Sequence, residues 1–200
     1  MGKGWQLILR LSLGVILTLL LSWLGLGQAW GTFPIIRSQV NYYGITGKTA
    51  SALRQQMNQL GPLAENGRRF DAYTKWHVAW RYRYGSLGGS CRMTSLTVHT
   101  DITYTMPQWQ NLQQAPRSLQ QQWQRYYQAL QLHEDGHGNH GRSATQEIWQ
   151  RLSNLTQPTC TSMSQIANQA AQGIINRYAQ KDIDYDRQTG HGRTQGAVFP

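Results

Sequence analysis

The sequence predicts an α+β domain in which an antiparallel β-hairpin or small sheet packs on one long helix, with further helices at both ends. Three observations carry this. Apolar and polar residues alternate with a period of two over residues 73–84 and again over 96–106, on either side of the turn Gly85-Ser86-Leu87-Gly88-Gly89-Ser90. From about Arg117 to Leu155 the apolar residues recur instead at threes and fours. Within that stretch stands His133-Glu134-Asp135-Gly136-His137, whose two histidines, four apart, share one face of a helix.

From the N-terminus, Lys3 and Arg10 accompany an apolar run from Leu11 to Leu26, followed by Gly27-Gln28-Ala29. A basic end, an apolar stretch and small residues at the cut describe a signal peptide over residues 1–29. The run is about 16 residues, short of the roughly 20 that span a bilayer. An uncleaved anchor, with Trp23 and Trp30 at the interface, is the alternative and the one route to a membrane. Either way the working part lies outside the cytoplasm, secreted or periplasmic. Residues 30–200 suit a single domain.

Setting aside Lys3 and Arg10 takes the formal charge from +10 to +8. For an exported chain such basicity fits anionic envelope polymers or acidic peptides, or serves solubility alone. No nucleic acid is expected: at Trp76–Arg83 the aromatics and the arginines fall on opposite sides of a strand, which is ordinary sheet amphipathicity.

Val40–Ile45 reads as a short strand or extended entry, and Thr46–Leu60 as a helix with Ala50, Leu53, Met57 and Leu60 on one side and Gly61-Pro62 as its stop. A polar connection covers Glu65–Asp71. The hairpin follows, with Trp76, Val78, Trp80, Tyr82 and Tyr84 facing one way, then Leu96, Val98, Ile102, Tyr104 and Met106; Pro107 closes it. His77 and His99 fall on its polar side, where histidines are solvated. Residues 117–155 form one helix, or two bent at the glycines, ended by Pro158. Ser162 and Gln165 suit a capping box for a last helix with Ile166, Ala170, Ile174, Ile175 and Tyr178 inward. By composition the tail from Tyr185 is disordered. Cys91 and Cys160, an isolated pair outside the cytoplasm, are expected to form a disulfide closing a loop of about 70 residues, worth about 2–4 kcal/mol.

The chemistry is in the helix. Two imidazoles on one turn can hold one metal ion, and Glu134 can take a proton from a water beside it; a third ligand comes from elsewhere. With six histidines and three glutamates in 200 residues, a chance His-Glu-x-x-His has odds of about three in a thousand. Gly136, Gly138 and Gly141 crowd the same two turns although each costs a helix roughly 1 kcal/mol. They make sense where a strand, a substrate or another backbone must come close.

The pieces Tyr42-Tyr43 with Gly47-Lys48-Thr49-Ala50, Trp76–Tyr82, Cys91, His133-Glu134-x-x-His137 and Tyr185-Asp186-x-x-Thr189-x-His191-Gly192 together resemble domain-of-unknown-function family 922, described as predicted secreted zinc-dependent proteases. The resemblance covers nearly everything after the leader, and implies export and a zincin-like peptidase site. The expected activity is therefore hydrolysis of a peptide or protein substrate, with one zinc per chain on His133 and His137 and with Glu134 as general base. Nickel or copper would also suit such ligands. A cell-wall peptide amidase using the same site, and a non-catalytic envelope binding protein with a structural metal, are the alternatives.

For the third ligand His140 is nearest, but seven helical residues rise about 10.5 Å, too far to join His133 on one ion. Glu147 is farther still. His191, between Gly190 and Gly192, is the expected ligand, with Tyr185, Asp186 and Thr189 orienting its ring and residues 181–200 closing the site. His140 and Asp186 are the alternatives for that ligand or for its support, and Tyr185 or His140 could donate to an oxyanion.

Overall fold

A computed structural model describes residues 33–63 and 67–200. The signal-peptide expectation over residues 1–29 and part of the connection before Asp71 lie outside them. The elements run β1 (Ile35–Ile45), α1 (Ala50–Leu60), β2 (Tyr73–Leu87), β3 (Ser90–Trp109), α2 (Arg117–Ser153), β4 (Thr156–Gln157) and α3 (Met163–Thr189). Among the described residues no helix is long and apolar enough to cross a membrane.

The hairpin is present and longer than the pattern suggested. β2 and β3 pair antiparallel from Tyr73↔Thr105 to Leu87↔Ser90, with a bulge between Arg83 and Tyr84. The sheet, however, is mixed. β1 lies parallel along the other side of β3, from Ile35↔His99 to Ile45↔Trp109, and the order is β1-β3-β2. A parallel neighbour needs a crossover, here α1 and β2, and the residues of β1 carry no signal of what lies that far along the chain. β1 also starts at Ile35, ahead of the expected Val40. Pro107 does not end β3 but sits fully buried within it, opposite Tyr43. Pairing with β2 has stopped at Thr105, so Pro107 lies where β3 has β1 on one side only, an edge position that tolerates a missing N–H.

Thr49 caps α1, its hydroxyl accepting from the Ala52 N–H at 3.2 Å. Leu53 and Met57 are buried as expected, while Leu60 is exposed. Arg54 makes a two-pronged bond to Asp71 at 2.6 and 2.8 Å, and Tyr126 donates to the same carboxylate at 2.6 Å, which ties α1 to α2. Burial, with Asp71 alongside, holds the Tyr126 phenol far above its usual range.

α2 is a single 37-residue helix, unbroken at its glycines. α3 runs antiparallel to it, and both cover one face of the sheet. The core is in two parts along α2. Leu119, Trp123, Tyr126 and Leu130 join Leu53, Ile102, Tyr104 and Phe199 at one end. Ala144, Ile148 and Leu152 join Val78, Leu96, Val98 and the α3 residues Ala167, Ala171 and Ile174 at the other. Residues 131–143 lie between the two parts, and there the inward face of α2 carries histidine, glutamate and glycine in place of large apolar side chains, Leu132 being exposed.

The glycines mark close approaches. A Cβ on Gly141 would sit 2.8 Å from both Cβ and Cγ of Trp76 on β2. One on Gly138 would strike the Tyr104 hydroxyl of β3, and one on Gly136 the Tyr185 hydroxyl of α3. α3 extends about three turns past Tyr178, into the segment whose composition read as disordered. It ends at Gly190 in the left-handed region, φ 58°. The remaining residues fold back so that Phe199 packs on Trp123 and Tyr126 at centroid distances of 5.4 and 4.9 Å. Buried apolar contact, absent from the local composition, orders this end. Cys91 and Cys160 are bonded, fastening the start of β3 to the segment before α3.

Removing the bridge with Cys160→Ser should cost about 2–4 kcal/mol in urea denaturation. Gly141→Ala should cost about 1–3 kcal/mol, because the Trp76 Cβ is fixed to its strand and cannot swing aside. Gly173→Ala, at a helix position with nothing within 4 Å of the new methyl, should instead stabilise by up to about 1 kcal/mol.

Candidate metal centre

The two helices bring their polar faces together in the gap between the core halves. His133, His137 and His140 on α2 meet Asp182 and Asp186 on α3, each helix spacing its groups at one turn. Asp186 Oδ1 lies 3.1 Å from His133 Nε2 and 3.2 Å from His137 Nε2. Asp182 Oδ1 lies 2.9 Å from His137 Nδ1 and 2.7 Å from His140 Nδ1, while its Oδ2 accepts from the Trp76 indole at 2.7 Å. His133 Nδ1 is 3.0 Å from Gln195 Oε1, and the amide nitrogen of Gln195 donates to the Tyr185 hydroxyl at 2.9 Å.

Two groupings of donors close enough to share one ion result: His133, His137 and Asp186, and His137, His140 and Asp182. The hydrogen bonds distinguish them. In the first, each imidazole has an acceptor behind its Nδ1, Gln195 for His133 and Asp182 for His137. That holds a proton on Nδ1 and aims both Nε2 atoms at the point they share with Asp186, where a cation would replace the Nε2 protons, the usual arrangement behind a metal-binding histidine. In the second, Asp182 is already engaged by the Trp76 indole and both rings. The chemistry of the donor set therefore fits a cation at His133, His137 and Asp186, with Asp182, Gln195 and Trp76 behind it. The electrostatics agree. Burial disfavours the His137 imidazolium, yet Asp182 and Asp186 raise its pKa to about 10; carboxylates that favour a proton there favour a metal ion equally. Burial would raise Asp186, but His133 and His137 hold it well below the usual carboxylate range.

Glu134 is buried, 4% exposed, and Oε2 accepts from the Thr74 hydroxyl at 2.6 Å. Burial raises its pKa against the lowering effect of Thr74 and the nearby histidines. His133, Glu134, His137, Asp182 and Asp186 all line a cleft of about 1080 Å³.

His191, the expected third ligand, lies beside the first grouping and not within it. The groupings contain Asp186 in its stead, and His191 Nδ1 stands 3.3 Å from Asp186 Oδ1 with its ring against Phe70 at 5.4 Å. Its backbone is left-handed, φ 54°, and follows the Schellman-like return at the end of α3, where its N–H donates to the Asp186 carbonyl. The glycine that makes the close approach is Gly192: a Cβ there would lie 3.1 Å from His133 Cγ. Tyr185 stacks on the His133 ring, centroids 5.0 Å apart, and is not among the residues lining the cleft. His140 bonds Asp182 without reaching His133, as the helical rise requires. Glu147 pairs with Arg177 instead.

Sequence reasoning missed Thr74, Asp182 and Gln195. Thr74 had a signal, a polar residue on the inward register of β2 with Trp76 and Val78. Asp182 had one too, since it stands one turn before Asp186 just as His133 stands one turn before His137. Gln195 had none.

A family model described as a bacterial protein of unknown function (DUF922) matches residues 40–192, more than half of the chain. No curated protein and no solved structure matches.

Asp186→Ala should lower zinc affinity by at least about a hundredfold in competition with a chromophoric chelator, and His191→Ala by less than about tenfold. The opposite ranking would return His191 to the donor set.

Proposed function

The chain belongs to the DUF922 family, and from that premise and the geometry above we propose that it is an exported metal-dependent peptidase with zinc as its metal. The observation that carries the reading is the pairing of a three-donor site with a buried carboxylate, Glu134, on the same helical turn and at the wall of an open cleft. A structural site would be closed by four protein ligands, whereas two imidazoles and one carboxylate beside a cleft leave a position for a small molecule.

When bound, zinc supplies Lewis acidity, which acidifies a water and polarises a carbonyl. The rest belongs to this chain. His133 Nε2, His137 Nε2 and an Asp186 oxygen would hold the ion; Gln195 and Asp182 accept from the two rings at Nδ1 and keep them in one orientation. Glu134 accepts the proton of the attacking water on its carboxylate and returns it to the departing amine nitrogen. Its raised pKa suits that exchange near neutral pH better than an exposed glutamate would. Thr74, on the strand that borders the cleft, holds one carboxylate oxygen so that the group does not swing away from the donors.

The test is Glu134→Gln, which removes the base and no donor. Zinc-loaded wild type should hydrolyse unfolded proteins or peptides, and the variant should bind about one zinc per chain while losing turnover by about a thousandfold or more. Equal turnover in the two would dismiss Glu134 as the base. Zinc binding with no hydrolysis by wild type across unfolded proteins and cell-wall peptides would favour a structural metal.

A further inference from the structure

The cleft separates its charges. Its carboxylates are all engaged: Asp71 by Arg54 and Tyr126, Asp182 and Asp186 by the imidazoles, and Glu134 by Thr74. Apart from Arg54, its arginines lie at the mouth. Arg68, Arg69 and Arg193 line the cleft, and all three are exposed. Arg69 donates to the Gly61 carbonyl at 2.7 Å, and among the described residues neither Arg69 nor Arg193 forms an ion pair. The Arg68 guanidinium lies over the Phe70 ring at 5.0 Å, and Phe70 in turn meets His191, so one continuous wall leads from a cation at the rim to Asp186. Phe70, Ile183 and Val198 also line the cleft, the last two exposed.

We propose that this mouth selects acidic peptides, with aspartate or glutamate side chains flanking the bond presented to the centre. The inference rests on the peptidase reading for what happens to the peptide, but not for whether it binds. The exposed guanidiniums of Arg69 and Arg193 at one opening present paired donors that match carboxylates, and Arg68 adds its charge beside them. Apolar surface among them is what an extended peptide uses and a sulfated or phosphorylated polymer does not. Field lines from these cations are focused by the walls of the cleft, and the floor opposes them less because Arg54 offsets Asp71 and imidazoles lie against Asp182 and Asp186.

The test uses full-length, zinc-loaded Glu134→Gln and isothermal titration with unlabelled, unstructured peptides of equal length and apolar content. One series is rich in aspartate and glutamate, one neutral, one rich in lysine. At low salt the acidic series should bind at least about tenfold tighter than the lysine series, and the difference should shrink at high salt. Arg68→Ala/Arg69→Ala/Arg193→Ala should abolish the preference, as should Arg193→Glu in part. Arg37→Ala/Arg81→Ala/Arg83→Ala, which removes the same charge from exposed strand positions outside the cleft, should keep it. Equal affinity for all three series, equal loss in both triple variants, or tighter binding of a sulfated polysaccharide than of the acidic series would overturn the proposal. An acidic preference in binding with no turnover by wild type would defeat the peptidase reading alone, and turnover indifferent to acidic residues would defeat this inference alone.

Discussion

Two aspartates one turn apart on α3, set against histidines one turn apart on α2, are the constraint on which the rest of the structure depends. Carboxylates drawn partly out of water must be paired, and here each is met by imidazole nitrogens at about hydrogen-bonding distance. The match works only in one register of two antiparallel helices. A slip of either helix by a turn would leave a carboxylate facing apolar surface. The ladder therefore fixes how α3 lies along α2, and with it where the return after Gly190 delivers Gln195 and Gly192 to His133.

That register demands close packing, which explains a helix that looks badly built from its own sequence. Three glycines in six residues weaken α2 by roughly 3 kcal/mol on propensity alone. Each one lets a partner lie against the bare backbone: Trp76 from β2, Tyr104 from β3 and Tyr185 from α3. Trp76 then reaches Asp182 with its indole, and Tyr185 reaches Gln195 with its hydroxyl. The glycines and the polar ladder are thus one device. The interval between the two core halves is held by hydrogen bonds and aromatic edges where apolar packing is absent.

The same device sorts the charge of the cleft. Because the ladder and Arg54 engage the carboxylates at its floor, the excess of arginine in the chain is expressed at the mouth, on the segment before β2 and on the turn after α3. A basic composition by itself says nothing about place. Here the fold brings Arg193 to Arg68 and Arg69, more than a hundred residues earlier in the chain, around one opening.

The hairpin, the long helix, the disulfide partners and the His133-Glu134-His137 group were legible in the sequence because each rests on local spacing: a period of two, a period near 3.6, a lone cysteine pair, two histidines four apart. Even the glycines announced a close approach, though not by what. The parallel placement of β1 and the choice of Asp186 over His191 beside the two histidines were not legible, and the order of the tail was expected only from the site it was to close, against its composition. β1 finds β3 only through a crossover, the tail is ordered by burying Phe199 against residues more than seventy positions away, and Asp186 is chosen by the register of α3 along α2. Such contacts depend on distances through space that no spacing along the chain encodes. Local periodicity thus determined the elements and the pairing of His133 with His137, and tertiary packing alone decided that Asp186 stands beside them, the hydrogen bonds behind the rings and the charge of the cleft around them.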